Sequence, residues 1–242
     1  MRRPLAPAIA LALVTLTTGC ASKKVLTEQE LGHLRAAPVL HVVRGEPSSL
    51  SVTTHNMKTA GMVGGILFGA IGGGIAAAIT SGMAQSDGKK MADEYQLEDP
   101  VVAVTGRVMA GLTELQLAPG SISSVPAAVK DVDAGALAKT FPGATVLAFK
   151  TDSWALNASG SGYYRLEYSA SARLVRTTDA TELWKVKCEV DDKQLPRMSM
   201  TQITANGAES LKARLQEAAQ FCADKLVQQM MGGAISASVK SP

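Results

Sequence analysis

The chain has 242 residues, enough for one domain with additional segments or for two small domains. Apolar residues make up 46% of the sequence, aromatic residues only 4%, and the formal net charge is +3. No basic patch with interleaved aromatic residues occurs, so the composition argues against nucleic acid as a partner.

The first nineteen residues, 1–19, have the pattern of a secretory leader. Arg2 and Arg3 give a positive start, and Leu5 to Leu16 form an apolar stretch that is too short for a stable membrane span. Without the leader the chain keeps 22 basic and 21 acidic residues and is nearly neutral.

The end of the leader, Leu16-Thr17-Thr18-Gly19-Cys20, resembles the cleavage box of bacterial lipoproteins. That family usually has a leucine three residues before the cysteine, where this chain has Thr17, but Gly19 and Cys20 fit. The resemblance implies that Cys20 becomes the first mature residue and carries a membrane anchor of lipid chains. It also implies outer-membrane retention facing the periplasm, because Ala21 replaces the aspartate that retains many lipoproteins in the inner membrane. A plain leader with an incidental cysteine is the alternative.

A folded domain is expected after a polar tether at residues 20–37. Val39 to Val43 is typical of a buried strand, and Gly45 and Pro47 end it. Leu50 to Thr54 predicts a second, shorter strand. The domain is therefore expected to begin with residues 38–57 and to continue after an insertion, over residues 88–232.

The insertion, residues 58–87, is the most distinctive part of the chain. Its 28 residues between Lys58 and Asp87 carry no formal charge, and eight of them are glycine. Small residues recur at every fourth position, on one face of a helix; they are Gly61, Gly65, Gly69, Gly73, Ala77 and Ser81. Such a pattern allows helix backbones to approach closely in lipid, so these six residues are predicted to form a helix-packing face.

Three structures remain open for residues 58–87: a membrane-associated or self-associating helix, a helical hairpin packed on protein, or a loop. Gly61 to Ala84 reaches the length of about 20 apolar residues that spans a bilayer. The triplet Gly72-Gly73-Gly74 would hinge one helix into two short ones. The segment resembles the glycine-zipper segments of bacterial envelope lipoproteins, which implies a role in helix packing within the envelope.

The second half of the chain alternates helical and strand patterns. Helices are predicted over Val101 to Leu117, over Asp133 to Thr140 and over Gly207 to Met231. Period-two alternation predicts a three-strand antiparallel meander, with strands at Ala144 to Leu156, Tyr164 to Leu174 and Trp184 to Val190. Residues 233–242 are expected to be disordered. The predicted fold class is α+β, an antiparallel sheet of the meander plus an N-terminal strand, packed against helices.

The meander, YYRLEYSASARLVRTTDATELWKVKCEV, resembles the periplasmic domains of the curli-secretion-channel lipoproteins and the TolB amino-terminal domain. Those families share a strand, a turn, a tryptophan-containing strand and a helix. The resemblance implies a periplasmic α+β domain from Ala144 onward. Curli channels cross the outer membrane with β-hairpins, and no such pair occurs here, so a pore function is not carried over.

Cys188 and Cys222 are predicted to form a disulfide. Cys188 shares a strand face with Trp184 and Val186, and Cys222 shares the apolar helix stripe with Leu226. If that helix packs on that strand, both thiols enter one layer, and an exported chain meets an oxidising compartment. Two buried, unpaired thiols are the alternative.

No catalytic site is predicted. The spacing of His33, His41 and His55 suits no common metal site, and no serine lies in a nucleophile elbow. Asp133 and Asp191 are interpreted as cap or turn residues. We therefore expect no enzyme activity, no metal and no cofactor.

Three functions remain open. The first is a structural or assembly lipoprotein of the envelope that binds other envelope proteins, and it is the preferred hypothesis. The second is a membrane-active homo-oligomer formed through the glycine-rich helix. The third is a carrier of a lipid or small ligand, which would need a large apolar pocket.

Overall fold

The computed structural model describes residues 25–54, 83–118, 120–126, 128–160, 162–191 and 193–231. These residues form an α+β fold, as predicted. The helices are α1 (Glu28–Ala36), α2 (83–95), α3 (Val101–Glu114), α4 (Ala134–Thr140) and α5 (Met200–Met230). The strands are β1 (Val39–Arg44), β2 (Ser51–Thr53), β3 (Ser121–Ser124), β4 (Thr145–Ala158), β5 (Tyr163–Arg176), β6 (Thr181–Val190) and β7 (Met198–Ser199).

The predicted meander is confirmed as the centre of the sheet. Strands β4, β5 and β6 pair antiparallel in sequence order. Period-two alternation determines which side chains face the helices, because successive side chains of a strand point to opposite faces. On β5 these are the buried residues Leu166, Tyr168, Ala170, Ala172 and Leu174.

The sheet is mixed rather than purely antiparallel, with the strand order β3-β1-β4-β5-β6. β1 is parallel to both β3 and β4, and β2 is also parallel to β4. About a hundred residues separate β1 from β4, and the described part of this connection contains α2 and α3, in keeping with the long crossover that parallel strands require. The short β7 pairs antiparallel with the start of β5.

Helices α3 and α5 cover one face of the sheet. The stripes predicted on both helices are buried, including Val104 and Val108 on α3 and Leu211 and Leu215 on α5. Between helices and sheet the largest fully buried side chains are Trp184, Tyr168 and Phe149. This layer is the main hydrophobic core.

A second, smaller core lies on the opposite face of the sheet, under α4. Leu137 of α4 packs with Val146, Val175 and Val43, and Val132 closes the cluster. Asp133 caps α4 as predicted, since its carboxylate accepts a hydrogen bond from Ala136 N at 2.8 Å. Since α4 has only seven residues, the part of the chain that the structure describes covers only a portion of this face of the sheet.

The folded part of the chain begins earlier than the sequence suggests. Residues 25–37, within the predicted tether, contain α1, which starts with a capping box between Thr27 and Glu30. Leu31 and Leu34 of this helix are buried in the main core. Only these two residues of α1 make this apolar contact. The hydrophobic periodicity of the sequence is therefore too short to distinguish this helix from a polar tether.

Helix α5 differs from its predicted extent. It begins at Met200, capped by Ser199, and the chain leaves helical geometry at Ala205–Ala208 before the long helical stretch that the sequence predicts. Asn206, Gly207 and Ala208 all have positive φ. Positive φ is costly for alanine and easy for glycine, so the break relies on the Asn-Gly pair.

Both ends of the glycine-rich insertion are held on the same corner of the sheet. β2 precedes it, and α2 begins within it, since residues 83–87 of the predicted insertion belong to this helix. A Cβ atom added at Gly88 of α2 would lie only 1.9 Å from the carbonyl oxygen of Leu50. The helix backbone therefore rests directly on the chain that leads into β2.

Several predicted features lie outside the described residues: the leader, Cys20, His55, the six small residues from Gly61 to Ser81, and the tail 233–242. Among the helices that are described, none combines the length and the apolar character that a membrane span needs.

Candidate functional site

The face of the meander opposite α3 and α5, the open face, carries rows of charged and hydroxyl side chains. The pairing of β4 with β5 and of β5 with β6 places Lys150, Ser171 and Lys187 side by side in one row. The neighbouring row contains Arg173 and Lys185 beside Ala148. Paired residues share a face of the sheet, so these four cations lie together on the face opposite α3 and α5.

A bulge in β4 modifies this face. The pairing with β5 shifts between Thr151 and Ser153, which leaves Asp152 as the extra residue. The Asp152 carboxylate accepts a hydrogen bond from the Ser171 hydroxyl at 3.2 Å. The bulge thus adds a carboxylate next to the lysine row.

A groove of about 840 Å³ runs over this surface and around the edge of β6. Its wall on one side is the loop before α4, at residues 130–133, and on the other side it includes Lys225 and Gln229 of α5. Its floor is formed by the charged rows on β4, β5 and β6. The groove therefore joins the open face of the sheet to the rim of α5.

Two ion pairs neutralise part of the charge in the groove. Lys187 Nζ lies 2.8 Å from Glu189 Oε1, and Arg173 Nη1 lies 3.4 Å from Glu182 Oε2. The Lys187 ammonium lowers the pKa of the Glu189 carboxyl, and Glu189 in turn raises the pKa of Lys187. The Lys187–Glu189 pair is largely exposed and contributes little to stability, whereas the Arg173 side chain of the other pair is only 16% exposed.

Four lysines in the groove lack such a partner. No carboxylate lies within salt-bridge distance of them among the described residues; they are Lys130, Lys150, Lys185 and Lys225. Lys225 instead lies 5.9 Å from the ring centroid of Phe221. The whole lining holds six cationic and five carboxylate side chains, so its net excess of positive charge is one.

The disulfide between Cys188 and Cys222 ties β6 to α5. The Cα atoms are 5.5 Å apart, and both residues are fully buried. The two cysteines that the sequence pairs are thus joined in the structure, at the seam between the strand and the helix that border the groove. The bond fixes the distance between the edge of β6 and the rim of α5.

The other residues considered as site candidates are dispersed. His33 Nε2 lies 3.3 Å from Arg176 Nη1, whereas the His41 ring packs 5.5 Å from that of Phe141. Asp191 forms a turn, since it accepts a hydrogen bond from Lys193 N at 2.9 Å. In the parts of the chain that the structure describes, no three His, Cys, Asp or Glu side chains are grouped so that they could hold a metal ion.

Comparison with known proteins assigns no family. No family model and no curated protein matches the chain. Similar solved structures include the PelC dodecamer from Paraburkholderia phytofirmans, at 10% identity over 81% of this chain and 89% of that chain, with a TM-score of 0.34. Lipoprotein GNA1162 from Neisseria meningitidis matches at 14% identity over 73% and 94%, with a TM-score of 0.24. A putative neuraminyllactose-binding hemagglutinin homolog from Helicobacter pylori matches at 7% identity over 84% and 87%, with a TM-score of 0.36. Likenesses at these scores assign neither a family nor a function.

The groove was not predicted from the sequence. The alternation of Lys185 and Lys187 with buried residues was visible, and it placed both lysines on the outer face of the strand. Their excess of positive charge depends on cross-strand neighbours such as Lys150, and register across three strands is not encoded in the local pattern.

Proposed function

We propose that the chain is an exported, lipid-anchored protein of the bacterial cell envelope whose folded domain binds a protein partner, in a structural or assembly role and without catalysis. Its anchor is Cys20, and its place is the periplasmic side of the outer membrane. The groove beside β6 is the surface proposed to bind the partner.

The observation that carries this proposal is the buried disulfide between Cys188 and Cys222. Structural disulfides persist in oxidising compartments and are rare in the bacterial cytosol. The bond therefore supports the export that the leader at residues 1–19 predicts. Lipidation then follows from the resemblance of the residues around Cys20 to the lipoprotein box.

A binding role is supported by the form of the groove. It is open and lined by charged side chains, unlike the concave and mostly apolar pockets that hold small ligands. The layer beneath the helices is filled by side chains such as Trp184, Tyr168 and Phe149. Because this layer is filled, it gives no support to the alternative that the protein carries a lipid or a small ligand.

The membrane-active oligomer stays as the second candidate. It depends on the small-residue face from Gly61 to Ser81, which lies outside the described residues.

Mass spectrometry of the mature amino terminus tests the anchor. We expect a chain that begins at Cys20 and carries acyl groups, recovered in the outer-membrane fraction. The Cys20→Ser variant is the matched control and should remain unprocessed by the lipoprotein pathway. A free or differently cleaved amino terminus in the unmodified chain would contradict the lipoprotein assignment.

A further inference from the structure

One edge of strand β6 is without a partner strand in the residues that the structure describes. In the described sheet it pairs only with β5 and ends the strand order. It is ten residues long, and the main-chain N–H and C=O groups of an edge strand that point away from the sheet can pair with another extended chain. Proteins use such edges to bind extended peptides by strand addition.

The edge of β6 faces a groove rather than open solvent. Lys225 and Gln229 of α5 line the groove together with Val186 of β6. Gln229 Oε1 is buried and has no protein hydrogen-bond partner among the described residues. An extended chain lying beside β6 would bring backbone N–H donors to the strand edge and to this side of the groove.

The lysines beside the edge of β6 determine which kind of extended segment pairs best with this strand. Lys185 and Lys187 point to the open face at alternate positions of β6, and Lys150 lies in the same row as Lys187. Lys150, Lys185 and Lys225 are without an ion-pair partner among the described residues. Opposite charges on directly paired strands stabilise the pairing, and like charges oppose it.

We propose that the groove along β6 binds an extended acidic segment of a partner protein, which adds to the sheet as a further strand. The proposal deepens the partner-binding function proposed above and rests on it. Acidic side chains at positions i and i+2 of the segment lie opposite Lys185 and Lys187, because side chains on one face of a strand alternate. Glu182 and Glu189, towards the two ends of β6, limit this preference to the middle of the strand.

Two peptides test the inference with the purified full chain. One is an acetylated, amidated octapeptide of threonine with glutamate at positions 4 and 6 only, and the other replaces both glutamates with lysine. Titration calorimetry should detect binding of the glutamate peptide and at least about tenfold weaker binding of the lysine peptide. Methylation of alternate backbone nitrogens of the glutamate peptide should abolish binding, because it removes ladder donors and leaves the charge unchanged.

Charge reversal in the protein provides the matched variants. Lys185→Glu combined with Lys187→Glu should invert the preference, so that the lysine peptide binds better than the glutamate peptide. Lys212→Glu, which reverses an exposed lysine on α5 outside the groove, should leave the preference unchanged. If the double variant binds the lysine peptide better than the glutamate peptide, this binding also shows that the variant is folded.

Three results would overturn the inference. The first is no binding of the glutamate peptide, and the second is binding that backbone methylation does not change. The third is sedimentation of the full chain as an oligomer that the double variant dissociates, since a second copy would then occupy the edge. None of these results bears on the amino-terminal analysis of Cys20, so failure of the inference is distinguishable from failure of the envelope assignment.

Discussion

The Asp99 carboxylate accepts a hydrogen bond from the backbone N–H of Ser48 at 3.0 Å, although the glycine-rich insertion lies between the two residues in the chain. Asp99 also accepts hydrogen bonds from Val101 N at 3.0 Å and from the Thr151 hydroxyl. The Trp154 indole donates to the carbonyl of Ser48 at 2.7 Å. One buried carboxylate thus joins the chain before the insertion, the start of α3 and the bulged strand β4.

Replacement of Asp99 by alanine should destabilise the domain strongly. Two backbone N–H groups and a buried hydroxyl would lose their acceptor, and a loss of this kind costs about 2–4 kcal/mol. Thr151→Val removes only one donor and should lower the free energy of unfolding by about 1 kcal/mol. Urea denaturation followed by tryptophan fluorescence measures both effects.

The control for Asp99 is Asp93→Ala, which removes only the exposed ion pair with Lys89. That pair should contribute less than about 0.5 kcal/mol. If Asp99→Ala were no more harmful than Asp93→Ala, Asp99 would not connect the two sides of the insertion.

Replacement of two helical glycines by alanine should change the stability of the domain in opposite directions. A Cβ at Gly88 would lie 1.9 Å from the Leu50 carbonyl oxygen, whereas nothing lies within 4 Å of a Cβ at Gly106 of α3. Gly106→Ala should stabilise the domain by about 0.5–1 kcal/mol through helix propensity. Gly88→Ala should instead destabilise it by about 1–3 kcal/mol, because α2 must move off the backbone of β2.

Thermal unfolding of both variants under the same conditions shows whether the two substitutions change the stability of the domain in opposite directions. The same sign for both would mean that α2 does not pack against Leu50 as the structure shows.

The disulfide prediction is tested on the Cys20→Ser chain, in which Cys188 and Cys222 are the only remaining cysteines. In denatured, unreduced protein neither thiol should react with a thiol reagent, and both should react after reduction. The bond closes a loop with a sequence separation of 34. Replacement of both cysteines by alanine should therefore lower the free energy of unfolding by about 2–4 kcal/mol. Two reactive thiols before reduction would rule the bond out.

The parts of this fold that the sequence predicts are those with a repeated pattern. Eleven residues of period two identify β5, and the stripe from Leu211 to Leu226 identifies α5. The parallel pairing of β1 with β4 had no local signal, because strand direction depends on the path of the chain between them. Edge strand β3, of sequence SISS, has no alternation of apolar residues. The groove required both the register of β4 with β6 and the position of α5.

The β5–β6 turn should show a pH-dependent ion pair. The Arg176 guanidinium donates hydrogen bonds to Asp179 at 2.7 and 3.1 Å, and this holds the pKa of the Asp179 carboxyl well below its usual range. A lowered folded-state pKa means that the contribution to stability is present above the pKa of the unfolded chain and is lost as pH falls through the folded-state pKa.

An NMR titration of the Asp179 carboxyl measures this effect. Arg176→Met should raise the pKa of Asp179 towards the ordinary value of about 3.9, because the main hydrogen-bond donor is removed. The same pKa in both proteins would show that Arg176 does not hold the turn.

Gly69 should be critical for association if the small-residue face packs against a second helix. It lies at the centre of the row from Gly61 to Ser81, and leucine at this position would push two helix backbones apart. Leucine has a higher helix propensity than glycine, so a loss of association would be a packing effect. Crosslinking in membranes should show an oligomer ladder for the unmodified chain and for the control Leu67→Ile, but not for Gly69→Leu.

The folded domain makes this last experiment interpretable. Because the Asp99–Ser48 contact and the packing of Gly88 on Leu50 hold both sides of the insertion to the sheet, Gly69→Leu should leave the urea midpoint of the domain unchanged. An unchanged ladder would show that the small face is not the contact between copies, and would favour a helical hairpin packed on protein. A lost ladder with an unchanged midpoint would favour the membrane-active oligomer over a purely partner-binding role, since association would then depend on the insertion alone.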